Sequence, residues 1–188
     1  MHGQFCFSRV ILSLFDYSGV WSAPYREADY NVIQIDIKHG QDVRLLRLED
    51  IPRPVHGILA APPCTHFASS GARWWEDKGE QALLDGLSLV DATMRIITLT
   101  RPAWWVIENP IGRLVHYLGD PVMWFDPCDY GDPYTKRTGL WGSFNADLPV
   151  CPVEPTQGSR MHRMSSSWTE QRSTTPPGFA EAFFQANP

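Results

Sequence analysis

The chain has 188 residues, 43% hydrophobic and 20% charged, with a formal net charge of −5. That length and balance suit one globular domain with a substantial core and exclude a disordered chain. No apolar run reaches the roughly 18 residues of a membrane span, and the acidic balance gives no sign of the basic footprint of a dedicated nucleic-acid binder.

The first element predicted is a strand over Val10–Phe15 (VILSLF), continuously apolar as in a strand buried on both faces. The residues before it lack a basic lead and a cleavage pattern, so a signal peptide is not expected and a cytoplasmic location is. The strand opens into the turn FDYSGVWS, and Pro24 is suited to the first turn of the helix that follows. Asn31–Ile37 (NVIQIDI) reads as a second strand ending near Asp36, and His56–Ala61 (HGILAA) as a third that runs into Pro62-Pro63-Cys64.

From about Gly79 to Leu99 the period changes. Leu83, Leu87, Val90, Met94 and Ile97 mark one face of a helix, which Pro102 stops. Ala103–Ile107 (AWWVI) is the next buried strand, closing on Glu108-Asn109-Pro110. Residues 139–174, rich in Pro, Ser and Arg, predict a long loop draped over the sheet within a single domain of 1–188. Thr175 is the expected N-cap of a last helix, with Pro176 at its first position. Strands alternating with helices predict an α/β fold with a mostly parallel sheet covered on both faces.

In such sheets ligands bind beyond the carboxyl ends of the strands. Four ends would gather there, carrying Asp16 to Gly19, Asp36, Pro63-Cys64 and Glu108-Asn109. The first turn lacks GxGxxG, so a pyrophosphate cradle is poorly supported. Asp36 suits ribose hydroxyls, although a solvated strand-end carboxylate reads the same way. Together these features point to a nucleoside cofactor without a diphosphate, and S-adenosylmethionine fits. Cys64 on these grounds alone is either a reactive thiol or a small packed residue. The cysteines at 6, 64, 128 and 151 show no CxxC and no paired spacing with histidines, so neither a metal site nor a disulfide framework is expected.

The series FDYSGVWS, Asp36, Asp42-Val43, Pro62-Pro63-Cys64-Thr65 with Phe67, Glu108-Asn109-Pro110 and Thr135-Lys136-Arg137-Thr138 resembles the cytosine-C5 DNA methyltransferase family, from about Leu12 to Arg137. The resemblance implies a Rossmann-like class I methyltransferase sheet that binds S-adenosyl-L-methionine. It assigns catalytic roles to Cys64 as nucleophile, to Glu108 and to Arg137. Phe15, Asp16, Ser18, Gly19, Asp36, Ile37, Asp42, Val43 and Pro62 fall on the cofactor side, and Pro63, Thr65, Asn109 and Lys136 on the substrate side.

The chemistry explains these residue types. A thiolate adding to C6 of cytosine gives C5 enamine character, and protonated Glu108 bonded to N3 favours the addition. A base inside a duplex must be flipped out first.

The chain departs from the family's pattern in three places, one being that no GN-type motif is evident late in the sequence, where RSTTPPGFAEAFF stands instead. Glu-Asn-Val is Glu-Asn-Pro here, and no segment matches a target-recognition domain, with 139–174 standing in its place. The expected substrate is therefore cytosine in DNA with little sequence specificity, and for a phage-encoded protein the site of action is the host cytoplasm. Single-stranded nucleic acid including RNA, a free cytosine nucleotide, transfer of a group other than methyl, and a non-catalytic cofactor-binding partner protein are the competing readings. His66, Cys128, Trp74-Trp75 and Trp104-Trp105 are expected to pack rather than react.

Overall fold

The structure is a computed structural model that describes residues 8–159 and 174–188. Its centre is a six-stranded sheet of β1 (Val10–Leu14), β2 (Asn31–Ile35), β3 (Val55–Ala60), β4 (Trp104–Pro110), β5 (Met123–Phe125) and β6 (Thr138–Ser143), in the order β2-β1-β3-β4-β6-β5. The pairs β1–β2, β1–β3 and β3–β4 are parallel, whereas β6 runs antiparallel to both β4 and β5. This is the α/β, Rossmann-like arrangement expected, with an antiparallel edge added to its parallel half.

Both faces of β1 are buried, which is why its sequence is an unbroken apolar run. On one side Leu12, Leu14, Ile58 and Ile107 pack with Val90, Ile96 and Ile97 of α2 (Trp75–Thr100). On the other, Ile11, Leu59, Val106 and Leu140 meet Trp21, Tyr25 of α1 (Ala23–Glu27) and Phe179 and Phe183 of α4 (Pro177–Ala186). A short α3 (Val115–Leu118) follows β4. Phe125 and Phe179 stack with ring centroids 4.0 Å apart, locking the antiparallel edge onto α4.

The sequence reading needs adjustment in three places. The helical periodicity over 79–99 marks α2 correctly, but Gly79 has φ 70° and ψ −177°, so the regular helix begins after it and Trp75–Lys78 form a separate turn. The last helix starts one residue later than expected, with Pro176 capping and Pro177 first. The largest difference lies in 139–174: Gly139–Ser143 belongs to β6, and the rest of that segment is described only as far as Ser159 and from Thr174. Two glycines and a short apolar stretch hid a strand whose burial comes from its neighbours, β4 and β5.

Candidate active site

At the end of β1 the chain turns sharply at Phe15, which takes φ 62° while its N–H donates to the Ile35 carbonyl at 2.8 Å. Asp16 is only 5% exposed and its carboxylate is fully engaged within the turn. It accepts from the Ser13 and Ser22 hydroxyls at 2.8 Å each, from the Gly19 N–H at 2.8 Å and from the Ser18 hydroxyl at 3.2 Å. A buried carboxylate needs such donors. Asp16, expected to touch cofactor, is thus the staple that shapes the turn, and Ser18 and Gly19 are held by it.

The neighbouring strand end is open. Asp36 commits one oxygen to the Lys38 N–H at 2.8 Å, and the next side chain, Ile37, is 68% exposed. Tyr17, 48% exposed, rises beside them with its ring 5.1 Å from that of His39. An available carboxylate with apolar and aromatic surface beside it, and no phosphate cradle, fits the ribose and adenine of S-adenosylmethionine. Asp42 follows on a separate turn, where the Arg44 side chain and backbone bond its carboxylate and hold its pKa below the usual range. Val43 is buried beneath it.

The third and fourth strand ends carry Cys64 and Glu108, the expected catalytic pair. The Pro62-Pro63-Cys64 loop leaves β3 and enters a single 3-10 turn, Cys64–His66. Asn109, wholly buried on β4, donates its amide to the Pro62 carbonyl at 2.8 Å and so fastens the loop to the sheet. Phe67, with no exposed surface, plugs the turn into the core against α2; Gly86 leaves it room, since a Cβ there would lie 3.0 Å from the Phe67 ring. Arg113 donates to the His66 carbonyl at 2.7 Å and lies 4.4 Å over the Trp75 ring, and Lys78 donates to the Thr65 carbonyl at 2.9 Å. Gly112 pairs with Ala68 so tightly that a Cβ would sit 1.9 Å from the Phe67 carbonyl oxygen. Burial and the Lys78 and Arg113 charges push the His66 pKa down, with Asp85 opposing.

Glu108, 8% exposed, sits on β4 beside Asn109, and its carboxylate receives the Lys136 ammonium at 3.3 Å. Burial alone would lower the Lys136 pKa, but Glu108, Cys64 and Tyr134 outweigh it and hold the pKa above its ordinary value. Lys136 is therefore a cation at neutral pH, bonded to Glu108 and within electrostatic reach of Cys64. Arg137 points elsewhere. Adjacent side chains on an extended segment point to opposite faces, so Lys136 turns inward while Arg137 stays half-exposed, 3.6 Å from Asp126 and 5.8 Å from the Trp124 ring centroid. A cavity of about 300 Å³ opens alongside, lined in part by Ser69, Ser70, Pro110, Lys136 and Arg137. Asp126 also lines it, with a pKa raised by burial.

No protein-family model matches the chain. Among curated proteins it is 28% identical over 151 residues to the "Probable DNA (cytosine-5)-methyltransferase" of Frog virus 3 (isolate Goorha), covering 75% of this chain and 67% of the viral protein. It is 30% identical over 126 residues to the type II methyltransferase M.NgoPII of Neisseria gonorrhoeae, covering 58% of this chain but 35% of that protein. The chain is thus similar, at modest identity, to a protein named as a cytosine-C5 DNA methyltransferase and to a type II methyltransferase. Its fold matches a solved candidate DNA modification methyltransferase from an E. coli prophage, with TM-score 0.51 and 19% identity over 77% of this chain and 49% of that one.

Of the residues expected to be catalytic, the structure sets Cys64 and Glu108 at adjacent strand ends with Lys136 bonded to Glu108, and leaves Arg137 at the cavity rim. Pro63 and Thr65 are exposed on the Cys64 turn, whereas Asn109 and Pro62 are buried as its fastening. Sequence reasoning missed one neighbouring residue and one orientation. Tyr17 stood inside a quoted motif and was passed over; the alternation of Thr135-Lys136-Arg137-Thr138, read as a strand, would have shown that Lys136 and Arg137 face opposite ways. Among the described residues no helix is long and apolar enough to cross a membrane, and no group of three or more His, Cys, Asp or Glu side chains is placed to hold a metal ion.

Proposed function

We propose that this protein transfers a methyl group from S-adenosylmethionine to C5 of cytosine in DNA, through a covalent Cys64 adduct at C6 and with little sequence specificity of its own. The observation that carries this reading is the meeting of Cys64, Glu108 and the Lys136 cation at adjacent strand ends. Asp36, Ile37, Asp42 and Val43 would hold the cofactor beside the turn that Asp16 shapes, and when bound it would supply an activated methyl on a sulfonium.

The chain's own residues would do the rest. The positive Lys136 favours the Cys64 thiolate, which is the nucleophilic form. The thiolate forms a bond to C6, and the electron pair of the C5–C6 double bond moves so that C5 gains enamine character. Glu108, protonated from solvent, bonds N3 as that charge develops, and Lys136, in hydrogen-bond contact with it, keeps its positive charge beside the site. After C5 takes the methyl, loss of the C5 proton to a base and expulsion of Cys64 restore the ring and the thiolate. Arg137, at the cavity rim, suits a phosphate of the substrate.

A free cytosine nucleotide is the second reading. The net charge of −5 favours it, because a duplex needs a cationic track and a mononucleotide needs only one or two cations. The test is to supply duplex DNA, single-stranded DNA, RNA and deoxycytidine nucleotides separately with S-adenosylmethionine, and to look for 5-methylcytosine after digestion by mass spectrometry. Product from the duplex, in a reaction that weakens steeply with salt, supports the main reading. Product only from the nucleotide, with little salt dependence, replaces it.

A further inference from the structure

Helix α2 does more than cover the sheet. Arg95 reaches from it across to the segment that follows Asp42. One end of its guanidinium donates to the Leu46 carbonyl at 3.1 Å, and the other to the Arg44 carbonyl at 3.1 Å and the Val43 carbonyl at 3.4 Å. Val43–Leu45 is a single 3-10 turn in which the Val43 carbonyl also accepts from the Leu46 N–H at 3.3 Å, whereas the carbonyls that end such a turn have no partner within it. A guanidinium, with five donors in a fixed planar fork, can serve several of them at once.

The rest of the segment has little purchase. Leu45 is 78% exposed, so apolar anchoring falls to Val43, which joins the core cluster of Val90, Ile96 and Ile97, and to the partly buried Leu46 packed against it. The Asp42 carboxylate is oriented separately, by the Arg44 N–H at 2.9 Å and the Arg44 side chain at 3.0 Å. Arg44 aims the carboxylate, while Arg95 fixes the backbone that carries both.

We propose that Arg95 is a positioning residue for the cofactor: by clamping the Val43–Leu46 backbone to α2, it holds Asp42 and Val43 at the spacing from Asp36 that the nucleoside requires. This rests on the assignment of Asp36 and Asp42 to S-adenosylmethionine. Arg95 itself touches no reacting atom.

Calorimetric titration of S-adenosylmethionine into the full chain tests it, alongside transfer kinetics. Arg95→Ala should weaken cofactor binding about tenfold, a loss on the scale of one or two net hydrogen bonds. Arg95→Lys, which can reach fewer carbonyls, should fall between. The KM for cofactor should rise while kcat at saturating cofactor and the KM for nucleic acid stay within about twofold. Global damage would not give that split. Unchanged cofactor affinity in Arg95→Ala, or a fall in kcat with an unchanged cofactor KM, overturns the proposal. Should Arg95→Ala fail to fold, Arg95→Lys decides by the same criterion. A wild-type chain that binds no S-adenosylmethionine removes the underlying assignment and the clamp with it. Binding that is lost in Asp36→Ala but untouched by Arg95→Ala removes the clamp alone.

Discussion

The two halves of the sheet's carboxyl edge handle their acidic residues in different ways. At the β1–β2 end, Asp16 is consumed by donors from its own turn, while Asp36 keeps one oxygen available and stands among exposed Ile37 and Tyr17. At the β3–β4–β6 end, Glu108 is buried and meets a buried Lys136 from the antiparallel edge strand's approach. The first end is built from neighbours in sequence. The second is built from residues 28 positions apart, which only the β4–β6 register brings together. A ligand can be received at the first end with little change, whereas charge is stored at the second.

The sharpest way to break that contrast is to remove the stored charge. Lys136→Met should lower methyl transfer by about a hundredfold to a thousandfold, the scale of losing one preorganised electrostatic contact, while Arg137→Ala should cost about tenfold or less. A larger effect at Arg137 than at Lys136 would return the central role to the rim. The pair also fixes a pH signature. Because the folded-state pKa of Lys136 is raised, its contribution to stability is fully present below the unfolded value of about 10.4 and fades as pH climbs through the folded value. The gap in unfolding midpoint between wild type and Lys136→Met should therefore stay constant from pH 7 to pH 9 and narrow only in strong alkali. A gap that closes near pH 7 would contradict a cationic Lys136.

A smaller effect concerns the fastening of the Cys64 turn. Gly112→Ala places a methyl 1.9 Å from the Phe67 carbonyl oxygen, against backbone that cannot step aside. Overpacking of this kind should destabilise the fold by about 3 kcal/mol, read as a lower midpoint in urea, with transfer falling along with it. An unchanged midpoint would mean that the Ala68–Gly112 pairing is not what seats the turn.

The β1–β2 end is sharpened by a pair of substitutions. Asp36→Ala should weaken cofactor binding about tenfold and leave the unfolding midpoint nearly unchanged, as expected of a group that bonds the ligand more than the fold. Asp16→Ala should lower the midpoint and the affinity together, because several buried donors lose their acceptor. Equal midpoints for the two variants would erase the distinction between them.

The same contrast explains what the sequence disclosed. Continuous apolar runs ending in Asp, Pro-Pro-Cys or Glu-Asn-Pro located β1, β2, β3 and β4 to within a few residues, because those signals are local. Asp16 and Asp36 looked alike as strand-end carboxylates. What separates them is Ser13 and Ser22, whose hydroxyls converge on Asp16 only after the turn has formed. The strand over Thr138–Ser143 was read as loop because its burial comes from β4 and β5, and with it went the alternation that turns Lys136 inward and Arg137 outward. Local pattern placed the strand ends, and long-range register decided which of two adjacent cations turns inward to Glu108.

The central claim is that Cys64 attacks C6 beside Glu108 and Lys136. The measurement that meets it most directly is an intact mass, taken under denaturing conditions, after incubation with S-adenosylmethionine and duplex DNA carrying 5-fluorocytosine. Fluorine at C5 blocks the final proton loss, so the enzyme should remain attached through Cys64, with no adduct in Cys64→Ala. Methylated product without a trapped adduct, or an adduct on another residue, would contradict it.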